Sequence, residues 1–227
     1  MSSRTIAIGD IHGCDVALET LLTMIQPVAN DIIIVLGDVI DRGPDSKKCV
    51  EQLLELKEKC HFVYIMGNHE EIMLEEYANP ANPTGWRTYG GKEMLESYGG
   101  DFDAIPEGHI EFFQSGMDYW ETETELFIHA SLEPGVDLEN QIHEWLRWVH
   151  LTGFESSPIE GKRIICGHTA QESGVPWLLE NWICIDTKAH AGNPLTAFDV
   201  GENMFLQANQ KGEARKFSLE QLKKMSR

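Results

Sequence analysis

The chain runs to 227 residues, 42% of them hydrophobic and 24% charged. That length fills one substantial core and falls short of two, so a single globular domain over 1–227 is expected and a disordered chain is excluded. Lys and Arg number 18 against 37 Asp and Glu, a net charge of -19; this excludes a protein that grips a nucleic-acid backbone, and any phosphate must be met by a concentrated local site.

Taken in order, Ile6-Ala7-Ile8 is a short apolar strand running into Gly9-Asp10-Ile11-His12-Gly13. Val16, Leu18, Leu21, Leu22 and Ile25 then recur at helical spacing up to Pro27. Ile32 to Leu36 is a β-branched, buried strand that ends in Gly37-Asp38-Val39-Ile40-Asp41-Arg42-Gly43. Pro44-Asp45-Ser46 starts a helix with Val50, Leu53, Leu54 and Leu56 on its apolar face. Phe62 to Met66 is a third strand, delivering Gly67-Asn68-His69-Glu70, and Glu70 to Tyr77 reads as another helix. Strands alternating with helices predict βαβ units and a mainly parallel sheet, an α/β fold.

From about 72 to 115 a helical insertion is expected beside the site, with Trp86, Tyr89 and Tyr98 read as packing residues. Met117 to Glu121 and Glu125 to Ile128 form a hairpin ending in His129, and Gln141 to His150 is a helical patch carrying Trp145 and Trp148. Arg163 to Cys166 is a strand delivering Gly167-His168, and runs at 182–186, 196–200 and 204–208 are expected to complete a second sheet. Five strands thus bring Asp, His, Asn and His side chains to one sheet edge, where α/β folds bind ligands.

The five cysteines, Cys14, Cys49, Cys60, Cys166 and Cys184, are odd in number and contain no CxxC pair, which argues against a disulfide framework or zinc ribbon and for a reducing compartment. No apolar run approaches the roughly 20 residues of a membrane span, and Met1 to Arg4 leads directly into the first strand. A cytoplasmic monomer with no membrane or nucleic-acid partner is expected.

Asp10, His12, Asp38, Asn68, His129 and His168 are the oxygen and imidazole donors that a pair of divalent cations needs. Asp38 is the natural bridging ligand, since Asp10 and His12 flank it on one side in the chain and Asn68 on the other, although spacing does not by itself fix that. Such a centre would activate a bridging water as the attacking hydroxide and screen a phosphoryl group. His69 could protonate the leaving oxygen with Asp41 orienting its ring, and Arg42 could hold phosphate oxygens.

The three blocks around Asp10, Asp38 and Asn68, in this order and at these intervals, resemble the phosphoprotein phosphatase family within the calcineurin-like metallophosphoesterases. His129, Gly167-His168 and Ile185-Asp186-Thr187 are similar to its later elements, and in size the chain is most similar to the small bacterial and phage serine/threonine phosphatases. The resemblance implies a two-sheet β-sandwich flanked by helices (αββα) and two divalent metal ions, commonly Mn2+ with Fe or Zn as alternatives. It assigns Asp10, His12 and Asp38 to one ion, and Asp38, Asn68, His129 and His168 to the other. It also implies His69 as general acid paired with Asp41, and Arg42 plus a second arginine on the phosphate. Two departures, Ala130-Ser131 after His129 and Lys188-Ala189-His190 after Thr187, bear on loop shape and substrate preference.

Between the two later histidines only Arg147 and Arg163 are available. Arg163 precedes its strand and should point away, so Arg147, flanked by Trp145 and Trp148, is expected on the phosphate. His61, His109, His143 and His150 read as surface or packing residues; His190 lies after a strand near the site, with packing again the stronger reading, and Cys14 reads as a small buried filler. The expected activity is hydrolysis of phosphomonoesters on protein Ser or Thr, or on Tyr. The alternative is symmetrical cleavage of diadenosine tetraphosphate. A metal-binding scaffold without catalysis is disfavoured because all six ligands and His69 are present.

Overall fold

The computed structural model describes residues 3–155, 159 and 161–225. The first half is three strand–loop–helix units: β1 (Thr5–Ile8) and α1 (Asp15–Ile25), β2 (Ile32–Val35) and α2 (Ser46–Lys57), β3 (His61–Tyr64) and α3 (Asn68–Ala78). Asp45 caps α2, its carboxylate accepting the Lys48 N–H at 2.9 Å. The expected helical stretch follows as a 3-10 turn at Trp86–Tyr89, α4 (Gly91–Tyr98), a second 3-10 turn and α5 (Glu107–Gln114).

The second half supplies β4 (Tyr119–Glu121), β5 (Glu125–Ile128), the five-residue α6 (His143–Arg147), β6 (Arg163–Cys166), β7 (Trp177–Leu178) and β8 (Trp182–Cys184). The chain ends with β9 (Leu195–Asp199), β10 (Met204–Ala208), β11 (Ala214–Ser218) and α7 (Leu219–Met225).

Two mixed sheets stack, one six-stranded in the order β11-β10-β9-β1-β2-β3 and one five-stranded in the order β4-β5-β6-β8-β7. Period-2 alternation along each strand decides which core a residue joins. Ile6, Ile8, Ile33 and Val35 face out of the first sheet onto α1, α2 and the 86–113 helices. Ala7, Ile34, Val63, Phe127, Ile165 and Ile183 fill the space between the sheets. Leu126, Ile128, Ile164 and Trp182 face the opposite way, under Leu132, Leu146 and Leu151. The αββα arrangement is present, with a thin outer layer over the second sheet.

Three expectations need correction. The runs at 196–200 and 204–208 do not complete the second sheet. β9 pairs antiparallel with β1, Ala7 opposite Phe198, and β10 pairs with β9, so both extend the first sheet. Their alternation places Phe198 and Phe205 between the sheets and Leu195 and Ala197 toward α1. Second, the ligand-bearing strand ends come from both sheets: β1, β2 and β3 are parallel in one, β5 and β6 parallel in the other, so the carboxyl ends meet at one rim of the sandwich. Third, the helical patch at 141–150 is only α6, and β7, β11 and α7 were not foreseen. β11 is an edge strand with exposed Ala214, Arg215 and Lys216, whose charged sequence is that of an edge rather than a core strand.

Candidate metal centre

The loops after β1 and β2 are bound to each other through backbone. Ile11 and His12 N–H both donate to the Asp38 carbonyl at 3.0 and 2.8 Å, and Gly13 N–H to Val39 at 2.8 Å. Gly43 is dictated by this contact, because a Cβ there would lie 1.9 Å from the His12 carbonyl oxygen. Glu70, fully buried in the first turn of α3, clamps the third loop to the second: its carboxylate accepts N–H bonds from Asp38 at 2.9 Å, Val39 at 2.8 Å, Ile40 at 3.3 Å and Gly67 at 3.1 Å. His12, Asp38, Asp41, Arg42 and His168 all have positive φ. Non-glycine residues there carry strain of about 1 kcal/mol or more each, and its concentration at one rim marks a site the surrounding structure holds in place.

Asp38 sits at the centre. Its Oδ2 lies 3.5 Å from His12 Nε2 and its Oδ1 3.5 Å from His129 Nε2, so one carboxylate divides its two oxygens between two groups of donors. His12, Asp38 and His69 form one group of potential metal ligands, and Asp38, His129 and His168 the other. Burial alone would raise the Asp38 pKa, but His129, His69, His12 and His168 outweigh it and hold the carboxyl below the usual range. His12 and His129 are lowered, chiefly by burial, and His168 is pushed down to about 3 by burial and then by His129.

The ring orientations say what such neutral imidazoles can do. His129 Nδ1 donates to the Leu36 carbonyl at 2.6 Å, which leaves the Nε2 lone pair facing Asn68 Oδ1 at 3.0 Å. His168 Nε2 donates to the Trp148 carbonyl at 2.8 Å, which leaves Nδ1 facing the same Asn68 oxygen at 3.0 Å. Three lone pairs and Asp38 Oδ1 therefore converge with no hydrogen between them, and that donor set fits a cation. His12 repeats the pattern: Nδ1 donates to the Ile40 carbonyl at 2.8 Å and Nε2 is left as an acceptor, here taken by Arg42 Nη1 at 2.9 Å. Asp10 is buried beside this cluster and outside both groups of potential ligands; its two oxygens accept the His168 N–H at 3.2 and 3.1 Å, and burial followed by Asp186 raises its pKa.

Next to the cluster, His69 Nδ1 and Asp41 Oδ2 are 2.6 Å apart, both buried. Burial pulls the imidazole down, but Asp38 and Asp41 outweigh it and raise His69, while burial pushes Asp41 up to about 6 against its bonds to His69 and Trp86. The pair thus holds a proton tightly. Trp86 is a residue that sequence reasoning assigned to packing alone. Fully buried, it also donates its indole N–H to Asp41 Oδ2 at 2.7 Å and stacks on Phe102 at 5.4 Å. No local sequence signal marks that second role; the structure shows it through the insertion's approach to the site, where the Gly90 carbonyl accepts the Arg42 N–H at 3.2 Å.

A cavity of about 290 Å³ opens over these groups, lined among others by Asp38, Arg42, Asn68, His69, Trp148 and His168. Arg42, expected on the phosphate, lines this cavity. Arg147, also expected there, is buried away from the lining, with Nη1 on Glu71 and Nη2 on Asp118 and no free fork for a phosphate. Its neighbour Trp148 takes the cavity-facing position in its stead, because α6 ends there and turns that side chain inward. Arg163 does point away, onto Glu125 at 2.8 Å, and Arg87 is occupied by Glu76 at 3.1 Å. His190 comes within 4.9 Å of the His12 ring, edge on, and burial pushes it down to about 4.

A two-sheet sandwich whose strand ends converge on two imidazole and carboxylate clusters defines a metal-dependent phosphoesterase. The calcineurin-like phosphoesterase family profile matches residues 3–181, and the chain belongs to that family. Among curated relatives, the symmetrical bis(5'-nucleosyl)-tetraphosphatase of Wigglesworthia glossinidia brevipalpis is 43% identical over 72 residues, 31% of this chain and 26% of its own. The protein of the same name from Burkholderia thailandensis is 29% identical over 138 residues, 60% of this chain and 45% of its own. The matches therefore span less than half the length of these relatives. Among solved structures, a candidate diadenosine tetraphosphatase superposes with a TM-score of 0.67 at 19% identity, covering 94% of this chain and 92% of its own. A cold-active protein tyrosine phosphatase gives the same TM-score of 0.67 at 15% identity, covering 94% and 78%. At those identities the likeness is one of fold.

Proposed function

We propose that this protein is a two-metal hydrolase of phosphate anhydrides that cuts symmetrical dinucleoside tetraphosphates into two nucleoside diphosphates. The observation that carries the chemistry is Asp38, with one oxygen toward His12 and the other toward His129, amid lone pairs of His129, His168 and Asn68 that have no proton between them. The substrate class is drawn from the two tetraphosphatase relatives. Hydrolysis of protein phosphomonoesters would use the same residues, and the fold likeness, equal for the two solved structures above, does not separate them.

Asp10, His12 and Asp38 would hold one ion, and Asp38, Asn68, His129 and His168 the other. Bound there, divalent cations lower the pKa of water and screen the charge of the phosphoryl group under attack. The chain's own residues do the rest. Arg42 lines the cavity with its fork beside His12 and can turn onto phosphate oxygens. His69, with Nδ1 fixed on Asp41, presents Nε2 on the side of Asp38 Oδ2, 4.0 Å away, and gives its proton to the departing oxygen. An anhydride leaves as a phosphate and needs that proton less than an alkyl ester does, so dependence on His69 is itself diagnostic of substrate.

The test is a manganese-supplemented panel of diadenosine tetraphosphate, p-nitrophenyl phosphate, and phosphoserine, phosphothreonine and phosphotyrosine peptides. ADP as the sole nucleotide product, with kcat/KM at least about tenfold above every monoester, is expected, a difference of about 1.4 kcal/mol in barrier. A phosphopeptide preferred by that margin would overturn the tetraphosphate reading.

A further inference from the structure

We propose that the cavity beyond His150 is a seat for a nucleobase, the part of the substrate farthest from the metal centre. The inference rests on the dinucleotide reading and adds to it the residues that would choose a nucleoside. This second cavity, of about 280 Å³, is lined by Leu132, Pro134, Trp145, His150, Phe154 and Trp182 among others, and His150 is also a wall of the metal cavity. The two spaces are therefore neighbours with one imidazole between them, one bordered by phosphate-binding chemistry and one by flat and apolar side chains.

The platform between them is rigid. His150 stacks face to face on His168, ring centres 4.3 Å apart at 18°. Trp148, on the metal side, is tied at both ends: its indole N–H donates to Glu71 Oε2 at 2.5 Å and its carbonyl accepts from His168. Seven large hydrophobic side chains are exposed among the described residues, and three of them, Tyr89, Trp148 and Phe154, line these two cavities. Phe154 is 93% exposed and Tyr89 59%. Water-facing aromatic rings grouped around a phosphate site are what a stacking base requires, since each base contact of this kind contributes without needing a charge. The remaining wall is the buried Trp182, which packs in the apolar cluster with Leu132, Leu146 and Leu151 and closes the cavity on that side. A phosphoserine or phosphothreonine side chain has no flat ring to place there.

The experiment uses the full chain and Phe154→Ala, a truncation at an exposed position. The first readout is kcat/KM for diadenosine tetraphosphate divided by that for inorganic tripolyphosphate, which carries no base; the ratio should fall on the order of tenfold in the variant. The second is equilibrium dialysis with labelled adenosine, where the variant should bind on the order of tenfold more weakly. An unchanged ratio, or wild-type protein that does not bind adenosine, overturns the seat. If the wild type binds adenosine and loses it in the variant yet does not cleave the tetraphosphate, the seat stands and the tetraphosphate activity falls. If the variant instead loses a phosphotyrosine peptide while adenosine binding is unaffected, the cavity serves a peptide and the nucleobase is overturned.

Discussion

The two sides of the metal centre are built in different ways. On the first sheet's side, Asp10, His12, Asp38, Asn68 and His69 stand on three consecutive strand–loop–helix units whose loops are cross-linked by backbone, with Glu70 alone taking four N–H groups. On the second sheet's side, β5 and β6 contribute one imidazole each, His129 and His168, and each ring is aimed by a single carbonyl. The stretch over that sheet, 129–155, contains only a 3-10 turn and α6, and it carries Trp145, Trp148, His150 and Phe154. A network of shared backbone bonds tolerates little change, so the first side fixes the reaction. Short elements joined by loops can vary, and under the proposed function that side would face the rest of the substrate.

The largest effect should fall at Asp38, which stands on the first side and is shared by both ligand clusters. Asp38→Asn removes the charge that two clusters share, and kcat/KM should drop by about 10³-fold or more, about 4 kcal/mol of barrier. Titration calorimetry with Mn2+ should show loss of one or both binding events. Intact metal binding and activity would mean that the two sides do not depend on a common carboxylate.

Within the first side, His69→Asn should lower turnover of an alkyl phosphate by roughly 10² to 10⁴, the usual range for a general acid. The loss should be smaller for diadenosine tetraphosphate and p-nitrophenyl phosphate, whose leaving groups need less protonation. Steady-state rates on the three substrates decide it: equal losses would remove His69 from proton transfer.

Trp86→Phe tests how far the first side extends into the insertion. A smaller aromatic ring remains beside Phe102 and the 2.7 Å bond to Asp41 is lost. Asp41 Oδ1 is already buried and has no partner among the described residues, so Oδ2 has only His69 left to hold it. We expect kcat for alkyl phosphates to fall about tenfold, close to 1.4 kcal/mol, with KM unchanged. An equal drop for good leaving groups would show that Trp86 acts on something other than the proton donor.

What the sequence disclosed follows the same division. Asp10, His12, Asp38, Asn68 and His69 were legible because each sits within five residues of a strand end and β-branched runs announce the strands. His129 and His168 were legible for the same reason. Trp86 was not, since a buried indole that packs and one that also donates to a carboxylate have identical local sequence. The placement of β9 and β10 was hidden because pairing with β1 spans almost the whole chain, and alternation fixes the faces of a strand without naming its neighbour. The arginine pattern misled most: Trp145-Leu146-Arg147-Trp148 marks a place where something faces the cavity, but a turn of α6 decides which residue it is.

Arg147 gives the smallest expected change in catalysis and the sharpest test of that decision. It is 7% exposed, its two terminal nitrogens are held by Glu71 on α3 and Asp118 just before β4, and its Nε is buried with no partner among the described residues. Its position is that of a tie between the two sides of the molecule. Arg147→Met keeps the apolar stem and leaves the two carboxylates with only the exposed His143 between them, 3.8 Å from Glu71 and 3.5 Å from Asp118; Asp118 is partly exposed and can turn to water, whereas Glu71 is more enclosed and still bonded to Trp148. Stability in urea should fall by about 1 to 3 kcal/mol, below the 3 to 5 kcal/mol of a fully buried pair, and kcat/KM should stay within about threefold on every substrate. The remaining change should appear in KM for diadenosine tetraphosphate, through Trp148, which shares Glu71 with Arg147. A tenfold rise in KM for inorganic tripolyphosphate with stability intact would instead put the guanidinium on phosphate and erase the difference between the two sides at this residue.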